Sequence, residues 1–220
     1  MMIRYRSDYP NQVQQLNVSL SKHYHLLKDG TIKWQEKTMD INWKNYQKTG
    51  KRHLVNYVIR DHYSSCFYAE MHPVDTMPDI EEFLYRAWSN KEDYEFHGIG
   101  KTVMVPQVTL KQFPQLHTFF KLAEDITSLQ VPESGFSSGI VAIKEWESNL
   151  RFAIDMIEGI ENIQGFQKDI AYINRFINFR FEREGTPLDR WLKGYDGTIG
   201  TNRKEVFFKY FQQQKNSGTA

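Results

Sequence analysis

The chain has 220 residues, 15% of them aromatic, and a formal charge of +1. This aromatic content argues against global disorder, and no apolar run approaches the roughly 20 residues that span a bilayer. The N-terminus lacks the apolar segment of a secretory signal, so we expect a cytoplasmic protein with no membrane partner.

The first third of the chain predicts β-structure. Residues 1–33 show neither a clear helical nor a clear strand period, and we treat them as an N-terminal extension. Residues 34–43 are predicted to be extended, and Thr49-Gly50 predicts a hairpin turn after them. Two strands follow, HLVNYVIRD from His53 and CFYAEMH from Cys66, which gives three consecutive antiparallel strands. The lone Cys66 excludes an internal disulfide framework, and we expect it to pack as a small apolar side chain.

The rest of the chain predicts helices that alternate with short strands. Apolar residues spaced three and four apart predict a helix that begins after Asp79, with acids in its first turn. A short buried strand over Thr102–Val105 and a second amphipathic helix come next, and LQVPE predicts another short strand. A long helix is predicted from Ser137, and a further helix over about 166–182.

This order of elements resembles the RNase H-like core shared by retroviral integrases and DDE transposases. The phrase MDINW resembles the first-strand segment that carries the family's first Asp, here Asp40, and HLVNYVIRDHYSSCFYAEM resembles the next two strands. FHGIGKTVMVPQVTLKQF is similar to the strand and turn of the second Asp, and FSSGIVAIKEWESNL to the loop and helix of the final Glu. INRFINFRFEREGTPLDRW is similar to the phrase that often follows the core.

The resemblance covers residues 34–191. It implies an α/β fold with an RNase H-like mixed sheet, three antiparallel strands followed by parallel strands, flanked by helices. The core would span residues 34–160, and residues 161–220 would form a C-terminal helical extension with a polar tail.

The family's three carboxylates hold two Mg²⁺ ions about 3.5–4 Å apart, and such ions need hard oxygen ligands. Asp40 matches the first position and would be a catalytic residue and metal ligand; the alternative is an ordinary surface Asp. Pro106 stands at the second position, and counting from the helix-starting glycine puts Ala142 at the third. Glu147 lies beside the apolar stripe of the long helix and is the only plausible inward substitute, although we favour a solvated helix edge for it.

The basic residues suggest a nucleic-acid partner. Residues 1–60 hold 11 lysines and arginines against 4 acids, whereas residues 61–150 hold 6 against 14. Such polarity is typical of a nucleic-acid-binding face, and also of two solvated surfaces that attract each other. The candidate contacts are the residues of the expected hairpin: Trp43, Lys44, Lys48, Lys51 and Arg52. An ordinary solvated hairpin is the equal alternative.

Three functional hypotheses follow from the sequence. The first is a catalytically inactive integrase-like or transposase-like protein that binds DNA or a protein partner in a mobile-element context, with no cofactor. The second is an active metal-dependent polynucleotidyl transferase with a rearranged acidic site, in which Asp40 and Glu147 would bind Mg²⁺. The third is a protein-interaction scaffold or homodimer. Pro106 argues against catalysis, because a proline side chain cannot bind a metal.

Overall fold

A mixed sheet with helices on both faces organises the chain. The structure, a computed structural model, describes residues 7–132, 137–156, 162–180 and 185–195. The strands are β1 (Val13–Leu26), β2 (Ile32–Trp34), β3 (Arg52–Asp61), β4 (Phe67–Pro73), β5 (Thr102–Met104) and β6 (Ser128–Gln130). The helices are α1 (Ile80–Trp88), α2 (Gln107–Gln112), α3 (Gln115–Leu122), α4 (Ser137–Met156), α5 (Ile163–Lys168), α6 (Ile170–Asn178) and α7 (Pro187–Gly194).

The strand order is β4-β3-β1-β5-β6, and β2 pairs with the far end of β1. The pairs β4–β3 and β3–β1 are antiparallel, whereas β5 and β6 run parallel to β1. The predicted α/β class with a mixed sheet flanked by helices is therefore confirmed, and the arrangement is consistent with an RNase H-like sheet. In the described part of the chain, no helix is both long enough and apolar enough to cross a membrane.

Two apolar layers cover the sheet. Side chains of β1, β3 and β4 pack with α1, α3 and α7 on one face, and Trp191 is fully buried there. The opposite face packs against α4, α5 and α6 around Trp146, which is also fully buried. Cys66 lies in the first layer, and burial raises the pKa of its thiol, as expected of a small core side chain.

The first strand of the sheet is β1, and the prediction of a strand over residues 34–43 is wrong. Residues 13–26 form the central strand, so the sheet begins inside the segment 1–33 that the sequence analysis set apart. The strand period was hidden because β1 is covered on both faces and buries Gln14, Gln15 and Asn17. Buried polar side chains interrupt the alternation by which a half-exposed strand is recognised.

The expected hairpin at Thr49-Gly50 is also absent from the described structure. β2 pairs with β1, and residues 35–51 form a long connection that leads to β3. A single 3-10 turn, Tyr46–Thr49, ends at Gly50, whose φ of 68° explains the glycine. The helix predicted over 166–182 is likewise divided, with α5 and α6 meeting at Asp169.

Two asparagines of α6 pair with the outer backbone edge of β4. The Asn174 amide accepts from the Ala69 N–H at 2.7 Å and donates to the Ala69 carbonyl at 2.7 Å. Asn178, one turn later, makes the same pair of bonds with Phe67 at 3.0 and 2.9 Å. Both asparagines are fully buried, so their amides replace the hydrogen bonds that water would otherwise supply to this edge.

We expect Asn174→Ala to lower the free energy of unfolding by about 2–4 kcal/mol, because it leaves a buried N–H and a buried carbonyl of Ala69 without partners. Urea unfolding followed by tryptophan fluorescence measures this change. Lys168→Ala, on the exposed side of neighbouring α5, is the control and should change stability by less than about 0.5 kcal/mol. Equal effects of the two substitutions would contradict this role of Asn174.

Glu70 of β4 is a buried carboxylate that accepts hydrogen bonds from three side chains. It accepts from the Tyr68 hydroxyl at 2.8 Å, from His72 Nε2 at 2.7 Å, and from two Arg86 nitrogens at 2.7 and 2.8 Å. Burial opposes its ionisation, but the hydrogen bonds from Arg86 and His72 prevail and lower the pKa of Glu70 to about 2. Glu70 is therefore ionised at neutral pH, and its ion pair with Arg86 links β4 to α1.

The depressed pKa of Glu70 predicts a specific loss of stability in acid. Its contribution is complete above its usual pKa of 4.5 and disappears as the pH falls toward about 2, where the folded state must take up the proton. Glu70→Gln should be less stable than the parent chain at pH 7, and the difference should shrink between pH 4.5 and 2. Urea unfolding across this range tests the expectation, with the exposed Glu92→Gln as control. A constant difference across the range would contradict it.

Candidate functional site

A groove of 880 Å³ lies where β1, the end of β5 and α4 meet. Its apolar lining comes from β1, α2, α4, the 35–51 connection and the link between β5 and α2: Val18, Leu20, Ile41, Trp43, Pro106, Val108 and Ile143. Its polar lining consists of Asn17, Ser19, Lys22, His23, Thr38, Asn42, Lys144 and Glu147. The groove thus combines an apolar floor with polar and charged walls, as small-ligand and nucleotide sites commonly do.

Glu147 faces the sheet, so our preference for a solvated helix edge is wrong for this residue. Its Oε1 accepts hydrogen bonds from the Ser21 hydroxyl and, at 3.0 Å, from the Asn56 amide. The preceding Trp146 donates to the same Asn56 side chain at 3.1 Å. Burial, and then the negative charge of Glu147, raise the pKa of Tyr24 on neighbouring β1. Two neutral donors from β1 and β3 therefore hold the carboxylate in place.

Strand register brings residues of three elements to the groove. Gln15 of β1 pairs in parallel with Met104 of β5, and Asn17 and Pro106 each follow this pair by two residues. Asn17, Pro106 and Glu147 all line the groove. At this place the central strand thus contributes an amide, the residue after β5 is a proline, and α4 contributes the carboxylate of Glu147.

Asp40 lies elsewhere than the sequence predicted. It is exposed in the connection between β2 and β3, not in the middle of a strand, and its backbone carbonyl accepts from the Asn45 amide at 3.2 Å. The following residues Ile41 and Asn42 line the groove, but Asp40 does not. In the described part of the chain, no three His, Cys, Asp or Glu side chains come together as a metal site. A role for Asp40 in metal binding or catalysis stays a prediction.

The predicted basic contacts lie along the 35–51 connection and the start of β3. Lys44, Lys48, Lys51 and Arg52 are all exposed. Lys51 donates to Gln35 at 2.8 Å, and Arg52 pairs with an exposed Asp75 at 3.2 Å. These basic residues are close in sequence to the groove wall, because Ile41, Asn42 and Trp43 belong to the same connection.

Trp43 joins this basic segment to the core. The indole is partly buried, and its ring meets Phe113 and Tyr46 edge-on at 6.2 Å in both cases. Trp43 also lines the groove. It is therefore an aromatic wall of the groove that is held by its neighbours and only partly exposed.

Sequence reasoning missed Lys22 and Lys144, which line the groove from two different elements. Lys22 extends from β1 and Lys144 from α4, and both are exposed. Lys144 precedes Glu147 by three positions, so the helical spacing already placed the two on one face. Lys22 could not be found, because β1 itself was not recognised as a strand.

Comparison with known proteins identifies no family for this chain. The chain matches no protein-family model and no curated protein. The integrase-like resemblance therefore stays a prediction, based on the order and spacing of the elements in the sequence.

We expect Glu147→Ala to lower the free energy of unfolding by about 1–3 kcal/mol, because it leaves the Ser21 and Asn56 donors without an acceptor. Glu145→Ala, two positions earlier on the same helix, is the matched control and should change stability by less than about 0.5 kcal/mol. Thermal and urea unfolding measure both variants. Equal stability of the two would show that the Glu147 carboxylate does not fix α4 to the sheet.

Proposed function

We propose that this protein is a non-catalytic nucleic-acid-binding module with an integrase-like core, and that it holds a single-stranded nucleic acid in the groove between β1 and α4. The observation that carries the proposal is that Lys22 and Lys144, from two different elements, line one apolar groove together with Trp43. Lysines along a groove suit a phosphate backbone, and an apolar aromatic surface suits an unpaired base. A duplex would keep its bases stacked away from this surface.

Charge beyond the groove supports the same proposal. The exposed Lys44, Lys48, Lys51 and Arg52 continue the basic surface along the 35–51 connection that forms one wall of the groove. A strand leaving the groove on this side would meet successive cations, which favours a polyanion over an isolated small anion. Nucleic-acid binding by these residues is therefore expected to depend strongly on salt.

The carboxylate arrangement favours binding without cleavage. Among the described residues that line the groove, Glu147 is the one carboxylate, and its Oε1 is engaged by Ser21 and Asn56. Two-metal phosphoryl transfer needs a set of hard oxygen ligands around two ions. The proposal accordingly requires no metal cofactor, and its mobile-element context is an extension of the resemblance.

Binding is tested by fluorescence anisotropy with labelled single-stranded DNA, single-stranded RNA and duplex DNA across a salt series. We expect the single strands to bind more tightly than the duplex. The Lys22→Ala/Lys144→Ala double variant should bind at least about tenfold more weakly than the parent chain. Its dependence of log affinity on log salt should be shallower by about 1.4, because two phosphate contacts are lost.

Lys101→Ala/Lys121→Ala is the control, since these exposed lysines lie at the start of β5 and at the end of α3, away from the groove. The control should bind as the parent chain does. Absence of binding even at low salt would refute the proposal. Magnesium- or manganese-dependent cleavage of any of the three nucleic acids would instead support the metal-dependent transferase.

A further inference from the structure

Helix α6 carries two apolar stripes, although a surface helix packed on one sheet needs only one. Its inner face is buried: Ile173 and Ile177 pack in the layer with α4, and Asn174 and Asn178 bond to β4. The second stripe faces outward and consists of Tyr172, Phe176 and, directly after the helix, Phe179. The exposed fractions of Tyr172 and Phe179 are 48% and 60%.

Helix α4 extends the outward stripe into a groove. Phe152 is 57% exposed, and its ring stacks on Phe176 with centroids 5.9 Å apart. Together the two helices form a groove of 310 Å³, which we call the α4/α6 aromatic groove. Its lining residues are Asn149, Phe152, Tyr172, Arg175, Phe176, Ile177, Phe179 and Arg180. Clusters of exposed aromatic residues of this kind mark interaction sites.

The two arginines on the rim of the groove do not indicate an anionic ligand. Arg175 pairs with Glu95 at 3.1 Å, and the Arg180 guanidinium donates to Asn149 at 2.7 Å. Both guanidinium groups therefore already have partners, and the free surface of the groove is aromatic. The occupant that fits is a short segment rich in aromatic side chains, which pair with ring faces and edges at centroid distances of about 4.5–7 Å.

The chain itself contains such a segment. Residues 207–211 read FFKYF, with four aromatic residues in five positions, and they lie within residues 196–220, outside the described part. The last described residue, Tyr195, contacts His97 with ring centroids 4.8 Å apart. His97 lies two residues from Glu95, the partner of Arg175 on the groove rim. The end of the described chain is therefore linked to the groove rim through the 95–97 segment.

The connecting length is sufficient. The twelve residues from Tyr195 to Phe207 span up to about 40 Å when extended, which is about the width of a domain of this size. Covalent linkage also gives the segment a high effective concentration at the groove, so modest aromatic contacts suffice for docking. We propose that the segment Phe207–Phe211 docks intramolecularly in the α4/α6 aromatic groove.

Hydrogen–deuterium exchange of the full-length chain tests this proposal. We expect amides in the segment around 207–211 to exchange at least about tenfold more slowly than those of an unstructured chain. Phe152→Asp and Phe179→Asp should each abolish this protection by placing a charge in the aromatic groove. Because both side chains are already exposed, neither substitution is expected to unfold the protein.

Leu122→Asp is the matched control, because Leu122 is 58% exposed on α3, across the sheet from the groove, and should leave the protection intact. Unprotected amides in the parent chain would overturn the proposal, as would protection that survives both groove substitutions. Protection that rises with protein concentration, together with dimerisation in sedimentation, would assign the groove to a second copy and overturn intramolecular docking. The Lys22→Ala/Lys144→Ala variant should keep full protection, which separates this proposal from nucleic-acid binding.

Discussion

Hydrogen bonds from two side-chain amides of α6 to the outer edge of β4 fix where this helix lies on the sheet. Asn174 and Asn178 are one helical turn apart, and the two residues that they meet, Ala69 and Phe67, are two apart on the strand. Only one placement of the helix lets both amides donate and accept at once. Beside α6, α4 packs on the same face of the sheet, and Trp146 reaches Asn56 of β3. Glu147 of α4 then meets Ser21 and Asn56 at the groove, so polar side chains fix this helical layer at both places.

The lining of the groove carries one carboxylate among its described residues. Asn17 and Pro106, which line the same groove, contribute an amide and an apolar ring. The carboxylate, Glu147, accepts hydrogen bonds from Ser21 and Asn56 and thereby links α4 to two strands. Its present contacts are those of a structural group. The surrounding lysines then give the groove a positive character that further carboxylates would offset.

Much of this fold could be predicted from sequence, and the failures have identifiable physical causes. The strands β3 and β4 and the helices α1 and α4 show clear apolar periods, because each presents apolar side chains to one or both core layers. β1 does not, since its polar side chains are buried and satisfied by distant partners. Gln14, for example, accepts from the Trp88 indole at 2.7 Å and donates to Asn11 at 2.7 Å. Such partners come from other parts of the chain and leave no local signal.

The candidate site was only partly predictable for the same reason. The helical wheel placed Glu147 beside the buried stripe, and the structure shows it facing the sheet. The resemblance of MDINW to a first strand assigns Asp40 to a strand, but Met39 and Ile41 are buried in a small separate cluster with Leu20. An apolar residue on each side of an acid is thus as compatible with a loop anchored to the core as with a strand. Lys22 and Lys144 could be predicted as groove residues only if β1 and α4 were known to be neighbours.

The amides on β4 also limit how copies of this protein can associate. An uncovered edge strand offers a row of N–H and C=O groups on which another chain can add a strand, and proteins avoid this by covering or shortening such edges. On β4 the groups of Phe67 and Ala69 are already occupied by Asn178 and Asn174, and the opposite edge, β6, is only three residues long. Sheet-to-sheet extension is therefore disfavoured at both ends. Any assembly of this chain would have to use side-chain surfaces on its helices or connections.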